Sequence, residues 1–145
     1  MPYLLSLDDV TQAVNDRVVA QKSTLGFRQV YYADNNFTPQ YPNAVVVHGR
    51  QAKTRHSTGN RFLYTFSVFV YVLHANMNLT KAMRSKADIQ LAEATGAVIE
   101  GSDFSLGGQV IECYVEAIEP ALLPARKVGE NVVSSRITVY ASSVG

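Results

Sequence analysis

The sequence predicts a mixed helix-and-sheet chain in which two amphipathic helices pack on a sheet of about five strands. Three observations lead there. Arg61–His74, RFLYTFSVFVYVLH, is a long run of β-branched and aromatic residues that neither Gly nor Pro interrupts. Two other segments, one opening after Ser6 and one closing before Gly96, repeat apolar residues at spacings of three and four. At 145 residues, with 47% hydrophobic side chains, the chain is sized for one domain, 1–145, with a core of its own.

The helices and strands follow in order. Ser6 before Asp8 and Asp9 reads as a helix start, because a hydroxyl accepts from first-turn amides and carboxylates suit the positive end of the dipole. This helix should run to about Lys22 with Leu7, Val10, Val14 and Val18 toward the sheet. Gly26 closes the unit, and Phe27–Ala33 alternates as a short strand. The polar stretch DNNFTPQYPN is a turn region, after which Ala44–His48, AVVVH, fits a compact strand buried on both faces. Gly49–Asn60, GRQAKTRHSTGN, is expected to be a long hairpin loop. It holds Arg50, Lys53, Arg55 and His56 and no acid, so it is either a solvated basic loop or a contact loop for a partner or for phosphates. It has no aromatic residue, which argues against base stacking.

The strand Arg61–His74 could extend about 45 Å at roughly 3.3 Å per residue. Phe62, Tyr64, Phe66, Val68, Val70 and Val72 form one apolar face. The other face is mixed and becomes apolar at Phe69, Tyr71 and Leu73, which calls for cover by a helix or by a second subunit. Asn78 is the expected cap of a second helix, Leu79 to about Thr95, with Leu79, Met83, Ala87, Leu91 and Ala94 as its packing line and Gly96 as its stop. Glu100–Gly108 is a Gly-rich turn. Gln109–Glu119 follows as a strand facing Ile111, Cys113, Val115 and Ala117 inward, with Cys113 as a small buried hydrophobe. Pro120–Asn131 is a loop holding Arg126 and Lys127. The last strand, Val132 to about Ser142, places Arg136 opposite Glu112 or Glu116 if the final pair is antiparallel.

Composition excludes several function classes. A net charge of +1 with 17% charged residues gives no general nucleic-acid footprint. One cysteine permits neither an internal disulfide nor a cysteine-based zinc site, and a reducing cytoplasm is the default compartment. No apolar run reaches the roughly 20 residues of a membrane helix, and the first residues lack the basic start of a signal peptide. None of His48, His56 and His74 has a second ligand at metal spacing, so no metal or other cofactor is expected. GSDFSLGG lacks the GxGxxG spacing and precedes a strand, and no nucleophile elbow or phosphate loop is present. The sequence contains no catalytic constellation.

The element order, the segment YPNAVVV, the strand FLYTFSVFVYVL, the helix LTKAMRSKADIQLAEA and the closing pair GGQVIECYVEAIEP and VVSSRITVYASS together resemble the tail terminator and tail-completion proteins of long-tailed bacteriophages. The resemblance spans nearly the whole chain. It implies an α+β fold with helices on one side of a mainly antiparallel sheet. It also implies a non-enzymatic virion protein, assembled in the host cytoplasm, that forms a homo-oligomeric ring, usually of six copies. Such a ring caps the tail tube protein, ends its polymerisation and offers a docking surface to head–tail connector proteins, with DNA passing through the lumen without sequence specificity and no membrane contact. On that reading Lys53, Arg55, His56, Arg61, Arg126 and Lys127 are partner contacts, and Phe69, Tyr71 and Leu73 form a subunit interface. Two alternatives stay open: a neck or head-completion protein between portal and tail, and, from another class, a small ligand-binding α+β domain, which would need a concave pocket with converging polar groups.

Overall fold

The computed structural model describes residues 5–32, 40–55, 62–75, 81–120 and 132–144. The chain is α+β, and its element order begins with helix α1 (Leu7–Ala20), the single turn α2 (Lys22–Leu25) and strands β1 (Gln29–Tyr32), β2 (Asn43–Arg55) and β3 (Phe62–His74). Helix α3 (Lys81–Glu100) and strands β4 (Glu112–Pro120) and β5 (Val133–Val144) complete it. The sheet order is β1-β2-β3-β5-β4. The β1–β2 pair is parallel and the other three pairs are antiparallel, so the sheet is mixed with one parallel edge.

Helix α1 starts where its cap chemistry dictates. The Ser6 side chain accepts from the Asp9 N–H and the Asp9 carboxylate accepts from the Ser6 N–H, which satisfies two orphan amides reciprocally. Val10, Val14 and Val18 are buried as the spacing predicts, and Thr11 joins them by returning its hydroxyl to the Leu7 carbonyl at 2.7 Å. Each fully buried valine contributes about 1.5–3 kcal/mol of transfer free energy. All of this apolar surface meets one face of the sheet. Ala44 and Val46 of β2, Phe66, Val68, Val70 and Val72 of β3, Cys113 of β4, and Ile137, Val139 and Ala141 of β5 form one cluster with α1 and with Ala92 and Ile99 of α3. Both long helices therefore lie on the same side.

Arg17 ties the two helices together at their ends. Its guanidinium donates to the carbonyls of Ile99 and Glu100 at 3.1 and 3.3 Å and pairs with Asp103 at 3.3 Å, a cationic cap for the last turn of α3. The Gly-rich segment that follows folds back on this cap. Asp103 accepts from the N–H groups of Ser105 and Gly107, and these contacts, with Arg17, hold its carboxyl below the usual carboxylate range.

The observed elements depart from the expected ones in five places. Strand β4 begins only at Glu112, and of the four residues expected to face inward Cys113 is buried and Val115 half-buried while Ile111 and Ala117 are exposed, the bulge after Val115 having shifted the alternation. Residues Gly49–Arg55 are strand, not loop: β2 continues past a bulge between His48 and Arg50 and stays paired with β3 down to Arg55↔Phe62. Gly49 permits this because a Cβ there would sit 2.3 Å from the Ser67 carbonyl oxygen, a closeness only glycine tolerates. The AVVVH run is buried on one face only, with Val45 and Val47 half-buried on the other. Gly96 does not stop α3. The helix passes through it to Glu100, and the missing side chain lets α3 lie against Val115, whose methyl would be 3.1 Å from an added Cβ. The buried line of α3 is Asp88, Ala92, Thr95, Gly96 and Ile99; Met83 and Ala94 are exposed. The expected line was displaced because two of the buried positions are polar. Leu79, Asn78 and the loop Pro120–Asn131 beyond its first residue lie outside the described residues.

Replacing Gly49 with Ala is expected to destabilise the chain by about 2 kcal/mol, since the bulge backbone has to open to admit the methyl group. Urea denaturation followed by circular dichroism measures it, and an unchanged midpoint would show that the approach to Ser67 relaxes without cost.

Candidate assembly surface

Both long helices cover one side of the sheet, and the other side has no helix among the described residues. Alternation sends Val45 and Val47 from β2, Phe69 and Tyr71 from β3, and Arg136, Thr138 and Tyr140 from β5 to this helix-free face, and all seven are half-buried. Arg136 organises its centre. Its guanidinium carbon lies 5.1 Å from the Phe69 ring centroid and its Nη2 donates to Glu119. Hydrogen bonds, first with Glu119 and then with Tyr71, hold Arg136 charged above the ordinary guanidinium range. The expected partner was Glu112 or Glu116. The β4–β5 register instead sets Glu119 opposite Arg136, with a bulge between Val115 and Ala117 shifting the strand at Glu116. Tyr114 and Tyr140 extend the face with ring centroids 5.0 Å apart. Leu73 differs from Phe69 and Tyr71, being already buried by its own chain.

The outer half of the β2–β3 hairpin forms a second exposed region. Gln51, Lys53, Thr54 and Arg55 are exposed. The Lys53 ammonium stands 3.9 Å from the Phe62 ring centroid and 6.0 Å from that of Tyr64, so the charge itself rests on aromatic surface in an exposed cation–π contact. The structure brings Lys53 and Arg55 onto one strand, on the side of the sheet that the helices occupy farther along. His56, Arg61, Arg126 and Lys127 lie outside the described residues.

Two polar clusters pin helices to the sheet. In the first, Asp88 of α3 is buried between His74 Nδ1 and the Ser135 hydroxyl, each at 2.6 Å from one of its oxygens. Serine and histidine both address the carboxylate, so the order is unlike that of a nucleophilic triad, in which histidine stands between serine and the acid. The cluster instead joins β3, α3 and β5 through one buried carboxylate. Sequence reasoning missed Asp88, whose only signal was its place one helical turn before Ala92. In the second cluster, Asp8 of α1 accepts from Tyr32 of β1 and stands 2.8 Å from His48 Nε2 of β2. Tyr32 and then His48 hold the Asp8 carboxyl below its usual range, while burial and then Asp8 push the Tyr32 hydroxyl up to about 12. No group of three or more His, Cys, Asp or Glu side chains among the described residues is placed to hold a metal ion.

Substituting Asp88 with Ala should cost about 3–5 kcal/mol, because His74 and Ser135 both lose a buried partner; Asp88→Asn should cost less. Chemical denaturation of the two variants separates these outcomes. Cys113 is fully buried, and burial raises its thiol to about 11. The folded chain should therefore leave a chromogenic disulfide reagent unreacted at pH 8 and react promptly once unfolded in urea.

Comparison with known proteins gives a likeness of fold. No family model matches the chain, and no curated protein matches it. Among solved structures, a chain from the virion of a native gene transfer agent particle superposes with a TM-score of 0.53 at 11% identity, covering 93% of this chain and 94% of the other. At that identity the two share an architecture nearly end to end.

Proposed function

We propose that this chain is a structural protein of a phage-like virion, one domain over 1–145, whose work is binding and not catalysis. The observation that carries the reading is the α+β architecture it has in common, along almost its full length, with a chain of a gene transfer agent virion. In the finer form of the proposal, copies of the chain assemble into a ring, of six in the simplest case, that caps a tail tube and receives the head connector in the neck of the particle. The helix-free face supports this form. Its half-buried aromatic centre, Phe69 and Tyr71 with Arg136, is a surface that a neighbouring copy can cover without disturbing the core on the other side. Leu73 contributes to that interface from beneath, as packing for its neighbours. Lys53 and Arg55, with His56, Arg61, Arg126 and Lys127, are the contacts proposed for partners: the next copy, the tube, the connector, or DNA in the lumen.

The double variant Phe69→Ala/Tyr71→Ala should lose assembly while the monomer stays folded, at a cost of no more than about 2 kcal/mol because both side chains are only half-buried. Light scattering gives the mass and particle images give the symmetry, alone and after addition of purified tail tubes. A ring of unchanged mass in the double variant would return both side chains to an ordinary surface role. Binding to portal-bearing heads but not to tubes would move the chain to the neck side of the joint.

A further inference from the structure

The two flanks of the sheet carry opposite charge. On one flank β1 pairs only with Asn43–Val46, so from Val47 to Arg55 strand β2 has no neighbour on its outer side among the described residues. Arg50, Lys53 and Arg55 are exposed there, and none of them forms an ion pair among the described residues. On the other flank, Glu112 and Glu116 of β4 are exposed and likewise unpaired, whereas Glu119 is taken by Arg136. Beside these acids stand two large apolar side chains in water, Ile111 at 60% and Phe104 at 48% exposure. Phe104 is held there with φ at 53°, a left-handed conformation that bulky residues rarely adopt. Neither flank suits a copy of itself. Arm against arm sets cation on cation, and β4 against β4 sets carboxylate on carboxylate.

We propose that the basic outer half of β2 in one copy docks on Phe104, Ile111, Glu112 and Glu116 of the next copy. The inference rests on the ring reading and deepens it by naming the partner of Lys53. Since the two surfaces lie on opposite flanks of one sheet, the contact is head-to-tail, the kind that closes a ring when the rotation between copies divides the circle. It is a side-chain contact and not a continued β-ladder. The Cys113 N–H already donates to the Phe104 carbonyl and the Val115 N–H to the Glu100 carboxylate at 2.8 Å, so that stretch of the β4 edge is occupied by its own chain. Arg50 lies on the helix-free side of β2 and Glu112 on the same side of β4, which matches the two charges across a joint between coplanar sheets.

The test exchanges the charges. Arg50→Glu/Lys53→Glu and Glu112→Lys/Glu116→Lys should each reduce the assembled mass to that of the monomer by light scattering. An equimolar mixture of the two variants should restore it, as should the quadruple variant alone, because alternating or exchanged charges again meet opposites. Recovery on mixing also demonstrates that each variant is folded. Independently, a chain carrying Arg50→Cys and Glu112→Cys should form interchain disulfides on mild oxidation, Cys113 being buried. Rings of unchanged mass in either charge variant, or absence of interchain disulfides in assembled material, would overturn the contact and leave the ring standing. A wild-type chain that is monomeric both in solution and on tail tubes would overturn the ring and this contact with it.

Discussion

A strand that is hydrogen-bonded along both edges cannot rotate about its own axis, and β3 is bonded this way from Leu63 to Leu73. Its period-two pattern is therefore imposed on everything beside it. Val68 and Val70 point to the helices, so Val46, Ile137 and Val139 must as well, and Phe69 and Tyr71 necessarily face the other way with Val45, Val47 and Arg136. The helices add cover to a face already chosen. A slip of one residue would move Phe66, Val68, Val70 and Val72 out of the core together, which is why a single register is specified so strongly.

The elements legible in the sequence were those in which one local rule acted unopposed. The cap at Ser6, the valine stripe of α1, the two faces of β3, the burial of Cys113 and the alternation of β5 all follow from spacing or from one hydrogen-bonding rule. What could not be read was decided by distant residues. Gly49 and Gly96 look like punctuation, but each is a place where another strand comes close: a Cβ at Gly49 would collide with the Ser67 backbone, and one at Gly96 would press on a Val115 methyl. Asp88 and Thr95 look like the solvent side of α3 because they are polar. They are buried because Thr95 bonds back to Leu91 at 2.7 Å and Asp88 finds His74 and Ser135, partners that only tertiary structure supplies. The candidate surface was legible to the same degree: Phe69 and Tyr71 could be assigned to a face, but the role of Arg136 between them depended on a bulge in β4.

The helices are held by polar pins at several ends as well as by the core. Asp8 binds the start of α1 to β1 and β2, Arg17 joins the end of α1 to the end of α3, and Asp88 fixes the front half of α3 to β3 and β5. Hydrophobic burial is non-directional and would tolerate sliding of a helix on the sheet. Hydrogen bonds with fixed geometry do not, so the pins set position where the core supplies adhesion. The pins thereby fix the helices in one position on the face they cover, at the start of α1, at the joined ends of α1 and α3, and in the front half of α3.

Strand β5 lies between β3 and β4, yet it follows both in the sequence. Without it, β4 has no strand partner among the described residues and β3 has only β2. The sheet is therefore completed by an insertion between two strands, not by an addition at an edge. That insertion joins β5 to a strand some seventy positions earlier, His74 against Val133 at its near end, and pairings between residues so far apart in sequence are formed slowly because the intervening chain must first be ordered.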